Sequence, residues 1–148
     1  MNFKTLILLS FLPSLYSIMG QENSVAQFIE NKGQFPKNVD YKLKLKAGDI
    51  YFEGNKITYN LYEKGRISSL RHGYSNDTSN IKCHSFQTSF LLSKEPIKDP
   101  IDPTTNRYNY FIGNDKSKWA SDVKAYQKLR YLELYNKIDL VTYENNGQ

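Results

Sequence analysis

Apolar and polar residues alternate along most of this chain with the period of two that marks a half-buried β-strand. Tyr41, Leu43, Leu45 and Ala47 alternate with Lys42, Lys44 and Lys46, so one face of that segment is apolar and the other carries three ammonium groups. Gly48-Asp49 interrupts the run. Ile50-Tyr51-Phe52 and Ile57 to Tyr62 flank Glu53-Gly54-Asn55-Lys56, a four-residue link of the kind that closes a hairpin. Phe86, Thr88, Phe90 and Leu92 alternate with Gln87, Ser89 and Leu91, which predicts a further strand with its aromatic side inward.

The second half is more varied. Pro96, Pro100 and Pro103 lack the ladder donor, so their segment reads as a connection or a sheet margin. Tyr108 to Ile112 predicts a strand ending at Gly113, and Asn114 or Asp115 can cap a single helical turn that carries Trp119. Ser121 to Tyr135 supports two readings. Val123, Tyr126, Leu129 and Leu132 fall three apart, as in a helix; Leu132 and Leu134 alternate with Tyr131, Glu133 and Tyr135, as in a strand. Asn136-Lys137 reads as a turn before the β-favouring run Ile138 to Tyr143. Asn145-Asn146-Gly147 has the composition of a tight hairpin connection, yet no returning strand follows. The expected architecture is an all-β, antiparallel β-sandwich-like domain with short helical turns, incomplete at its C-terminus.

The chain begins with a singly basic start, Met1 to Lys4, then the apolar run Leu6 to Leu12, Pro13 and the small residues Ser14, Ser17 and Gly20. That is the order of a secretory signal peptide, and the run is too short for a transmembrane anchor, which needs about 20 apolar residues. The expectation is a signal peptide over residues 1–20 and a single β-rich domain over 21–148. The product is exported across the inner membrane, to be secreted or held at the cell surface. Lys64 to Asn80 reads as an exposed loop with a short strand around Ile67 to Leu70. Asn76-Asp77-Thr78 in that loop matches the N-glycosylation acceptor pattern, which is short enough to recur by chance.

Charge narrows the function classes. A net charge of +5 is spread along the chain with both signs and lacks the dense basic block that nucleic-acid binding requires. The lysine stripe of Lys42, Lys44 and Lys46 could face anionic ligands, but a solvated or edge-protecting face is favoured. Cys83 is the single cysteine, beside His84, with His72 the other histidine. A closed zinc set would have to borrow carboxylates, and neighbours on a strand point to opposite faces, so a packed thiol is the expected state. Asp99 and Asp102 lack the repeated oxygen ligands and glycine of a calcium loop. No metal or other cofactor is expected.

Tyr108, Tyr110 and Trp119 are the candidate ligand-binding residues. Tyrosine and tryptophan rings can form a stacking platform for sugars, because each pairs an apolar face with a polar handle. They can equally fill the core of a small sandwich, which is the favoured alternative. No phosphate-cradling glycine loop, His-Glu-x-x-His or Gly-x-Ser-x-Gly occurs, so no catalytic residue is named and no enzyme is expected.

Phe28-Ile29-Glu30-Asn31-Lys32-Gly33-Gln34-Phe35, the run Asn109 to Asn114 with Trp119 and Val123, and Tyr135 to Tyr143 carry a resemblance. In this order, over about residues 28–148, they resemble the N-terminal domain of unknown function of large secreted Bacteroidota proteins. Those proteins carry β-propeller-type (SBBP) repeats and C-terminal modules for gliding motility or type IX secretion. Asn136-Lys137 replaces a frequent proline-glycine there, and the family continues with another strand. The resemblance implies all-β structure and strand rather than helix after Val123, and it supplies no catalytic residues to carry over. The expected function is a non-catalytic structural or adhesion module whose partners are a downstream strand or the propeller-type repeats. The second expectation is a carbohydrate-binding module for surface glycans using exposed Tyr and Trp side chains. A hydrolase with dispersed carboxylates is the third.

Overall fold

The computed structural model describes residues 26–63 and 81–144. The expectations for residues 1–20, for Ile67 to Leu70, for His72 and Asn76, and for the Asn145–Gly147 turn lie outside the described residues. Eight strands form: β1 (Phe28–Glu30), β2 (Tyr41–Leu45), β3 (Gly48–Glu53), β4 (Lys56–Tyr62), β5 (Cys83–Ser89), β6 (Ile97–Tyr110), β7 (Ala120–Tyr135) and β8 (Ile138–Tyr143). One 3-10 turn, Lys116–Lys118, precedes β7. Every pairing is antiparallel, in the order β5-β4-β3-β2-β1-β7-β6. β8 pairs with β7 on the edge that β1 uses further back, so β7 is bonded on both sides. The all-β antiparallel architecture is therefore as expected, and its two layers are the two ends of one curled sheet.

The turns are tighter than the spacing suggested. β2 and β3 are joined by Lys46-Ala47, while Gly48 and Asp49 lie inside β3. Gly48 is needed because β3 lies close to β4: a Cβ there would fall 2.3 Å from the backbone oxygen of Asn60. Gly54-Asn55 alone connects β3 to β4, with Glu53 and Lys56 already paired. The proline segment forms the first half of β6, a margin rather than a connection. Pro100 and Pro103 sit on the edge strand β6 opposite Leu129 and Tyr126, where a missing donor costs no ladder bond.

Ser121 to Tyr135 is strand throughout, and the helical alternative is excluded. Its three-residue apolar spacing comes from curvature. Leu129, Tyr131 and Leu134 join Phe28, Leu43, Phe52 and Ile57 in one buried core, whereas Val123 and Ala125 join Ile29 and Ala120 in a second. Tyr126 also packs against the first core, three residues before Leu129. In a flat strand those two would point to opposite faces, so β7 coils between them and carries the sheet from one layer to the other. Positive φ at Asp122 (53°) and Glu133 (47°) falls where the ladder register shifts, as bulges require.

β5 is the far edge of the sheet, and all its residues are exposed. The expectation of an inward aromatic side is met only in part. Phe86 stacks on Tyr59 with centroids 4.6 Å apart, but no second layer among the described residues covers it, and it stays 44 % exposed. Leu92 lies beyond the strand with φ of 58° and is fully exposed.

Gly48→Ala is expected to lower stability by about 1–3 kcal/mol, because a backbone oxygen cannot yield as a flexible side chain would. Urea unfolding checks this; an unchanged midpoint would show that β3 and β4 separate freely at Asn60.

Candidate functional site

Tyr108, Tyr110 and Trp119 do not converge. Tyr110 pairs with Ala120 in the ladder, and both pack on the Ile29–Val123–Ala125 cluster with Tyr108. Tyr108 further donates from its hydroxyl to Gln27 Oε1 at 3.0 Å. Trp119 immediately precedes Ala120, follows the 3-10 turn, and is 38 % exposed. Its ring meets Phe111 edge-on at 5.8 Å, and its indole N–H donates to the Gly113 carbonyl at 3.2 Å. Asp115 caps the turn by accepting from the Ser117 amide and hydroxyl, which holds its carboxyl below the usual range.

The run Phe28 to Phe35 is built into the fold residue by residue. Phe28 enters one core and Ile29 the other. Glu30 Oε1 accepts the Lys124 amide at 2.9 Å, and the Gln34 side chain donates to the Glu30 carbonyl at 2.7 Å. Asn31 organises the following loop. Its amide nitrogen donates to the carbonyls of Phe35, Pro36 and Val39 at 3.4, 3.0 and 2.7 Å, and its oxygen accepts from the Gly33 and Phe35 amides at 2.9 and 3.1 Å. Gly33 takes φ of 107°, a conformation glycine adopts without strain. The loop then lays Phe35 on Tyr110, with centroids 5.5 Å apart, and covers the second core. Likewise, Asn109 Oδ1 accepts the Asp122 amide at 3.1 Å across the β6–β7 ladder.

Two adjoining clefts, of about 620 and 480 Å³, open between this loop, the Gly54-Asn55 turn and the segment before β6; both are lined by Lys37, Asp40 and Glu95. Lys98 lines the larger cleft, and its side chain is only 6 % exposed. Its ammonium group pairs with Asp40 at 2.7 Å, donates to the Gly54 carbonyl at 2.8 Å and faces the Tyr131 ring at 5.1 Å. These contacts tie β6 to the β3–β4 turn and close the curl, leaving the amine engaged rather than poised as a nucleophile. Tyr41 lines the larger cleft, and burial, then Tyr126 and Glu30, push its hydroxyl up to about 12.

The remaining candidates are occupied structurally. Lys42 pairs with the buried Asp49 at 3.1 Å and lies over the rings of Phe35 and Tyr51, so the lysine stripe is broken at its first member. Tyr62 donates to Asp49 at 3.1 Å, and burial together with that carboxylate raises its hydroxyl to about 12. Asp99 is held by Arg130 and Asp102 by Lys128. No group of three or more His, Cys, Asp or Glu is arranged for a metal among the described residues. Cys83 corrects the expectation of a packed thiol: it is exposed, because β5 is an edge strand opposite Tyr62 alone. Sequence reasoning missed the parts played by Asn31 and Lys98. An asparagine two residues before a glycine is a signal for the first; nothing local marks the second.

The fold and these interactions define an all-β module in which the most distinctive motif residues maintain the module's own architecture. The chain belongs to the family described as Domain of unknown function (DUF7948), which matches residues 28–148. No curated protein and no solved structure matches it.

Asn31→Ala is expected to cost about 2–3 kcal/mol, since it strands several loop carbonyls and amides at once, and to leave the β2–β4 ladder intact. Thermal unfolding together with backbone amide shifts would show a loss confined to the loop. The raised Tyr41 and Tyr62 hydroxyls set an alkaline limit. Their stabilising effect is full below the ordinary value of 10.0 and is lost as pH rises through about 12. The ring signals of Tyr41 and Tyr62 in the folded protein should therefore remain those of the phenol as pH passes 10.0, and their ionisation at the free-solution pH without unfolding would contradict this.

Proposed function

We propose that this chain is a non-catalytic module of an exported, secreted or cell-surface protein, with a structural or adhesive role. Membership of a family of unknown function leaves the role open, and the observation that carries the reading is the use of the motif residues. Glu30, Asn31, Gln34 and Asn109 direct their polar side chains into backbone bonds of the module itself. The resemblance to the N-terminal domain of Bacteroidota proteins with propeller-type repeats and type IX secretion modules supports the same reading. So does the outer edge of β8, which pairs with no strand among the described residues. β8 has one charged residue, Asp139, whose carboxylate accepts the Glu133 amide at 2.8 Å, so no free charge guards that edge. The partner in this reading is a strand or repeat from the remainder of a larger protein. No helix among the described residues is long and apolar enough to cross a membrane.

Carbohydrate binding is the second reading, and Trp119 with the exposed Phe111 is the observation in its favour. Tyr108 and Tyr110 contribute less to it, because their rings pack on the second core.

Appending the segment that follows this domain in a longer family member should raise the unfolding midpoint by several degrees and protect the β8 amides from hydrogen exchange. Equal midpoints and equal β8 protection would reject the strand-partner reading.

A further inference from the structure

Every residue from Phe111 to Trp119 is exposed, so the connection between β6 and β7 projects from the second core. Phe111 is 60 % and Ile112 77 % exposed, two consecutive apolar side chains turned to solvent. Trp119 lies edge-on to Phe111, and the bond from its N–H to Gly113 satisfies the one polar atom of the indole inside the loop. The ring can therefore leave water without stranding a donor.

A basic collar surrounds the tip. Lys116 Nζ stands 5.8 Å from the Trp119 ring centroid, Lys118 is exposed on the same turn, and Lys32 donates to the Ser121 carbonyl at 3.0 Å, just after Trp119. The nearby carboxylates are already held. Asp115 accepts from Ser117 and lies 3.5 Å from Lys118, and Asp122 pairs with Arg107 at 3.2 Å. Neither of the two clefts described above is lined by a residue of this loop. Lys116 over the ring and Phe111 at its edge also restrict the open face that a sugar would need.

An apolar tip inside a cationic collar complements the layers of a lipid surface, where anionic headgroups overlie the acyl boundary. We propose that the Phe111–Trp119 loop docks the protein on an anionic bilayer. Phe111 and Ile112 enter the acyl boundary, Trp119 rests at headgroup level, and Lys32, Lys116 and Lys118 meet the phosphates. This goes beyond the structural or adhesive reading and stands or falls apart from it.

Trp119 is the single tryptophan, so its emission reports this loop alone. The full chain should show a blue shift and quenching by acyl-chain labels on phosphatidylglycerol vesicles, weakened by salt and by phosphatidylcholine replacement. Phe111→Ser with Ile112→Ser should reduce vesicle affinity by about tenfold or more, and Lys116→Glu with Lys118→Glu by several-fold. Acyl-chain quenching of Trp119 registers insertion of this loop itself, which separates it from any lipid binding through residues 1–20. Circular dichroism checks folding, and the exposed lysine pair provides a variant that leaves the core untouched. Unchanged emission on both vesicle types, equal affinity in both double variants, or an emission change produced by glycans instead of vesicles would overturn the proposal.

Discussion

β7 keeps ladder hydrogen bonds on both edges while it changes direction, and the rest of the structure depends on that constraint. A strand bonded to β6 along one side and to β1 and then β8 along the other cannot turn by breaking its ladder. It coils instead, with Asp122 and Glu133 absorbing the register shifts at positive φ, which a β-branched side chain would resist more. The coil turns one sheet into two layers. Phe28 and Ile29, neighbours on the short β1, point to opposite faces as strand neighbours do, and each finds its own core there.

Each layer then needs its own cover. The larger core is closed by the second half of β7 lying over β2, β3 and β4, with Lys98 fastening β6 to the Gly54 turn. A buried ammonium group is costly to desolvate, and here the Asp40 carboxylate, the Gly54 carbonyl and the Tyr131 ring offset that cost together. The Tyr131 hydroxyl in the same interior finds no partner among the described residues. The smaller core is covered by a loop instead of a strand. Asn31 acts as its internal scaffold because one side-chain amide can both donate to and accept from the backbone. The sequence motif and the fold thus meet at one point: residues conspicuous in the sequence hold a lid over Ile29, Val123 and Ala125.

That arrangement shapes the functional reading. Polar groups spent on the module's own backbone are unavailable for substrate, which favours a framework role over chemistry. The two surfaces proposed for partners are of different physical kinds. The β8 edge offers backbone donors and acceptors to an incoming strand, while the Phe111–Trp119 loop offers apolar area within positive charge.

Much of this was legible in the residues. Period-two alternation located β2, β3, β4 and β5, the prolines allowed a margin as one of two readings, and Asp115 was among the two caps foreseen for the turn before Trp119. Local chemistry sufficed there, because side-chain alternation, a missing donor and a capping carboxylate act within a few residues. Other features depended on partners far along the chain. Whether 121–135 was helix or strand was decided by β6, β1 and β8 pairing to it. Whether Tyr110 faced solvent was decided by a loop some seventy residues earlier that lays Phe35 against it. Lys98 looked like any lysine of a polar linker until the curl brought it to Asp40 and Gly54. The sequence by itself determined which segments are extended; only the tertiary structure decided which face of each is buried, because burial is set by what the sheet folds against.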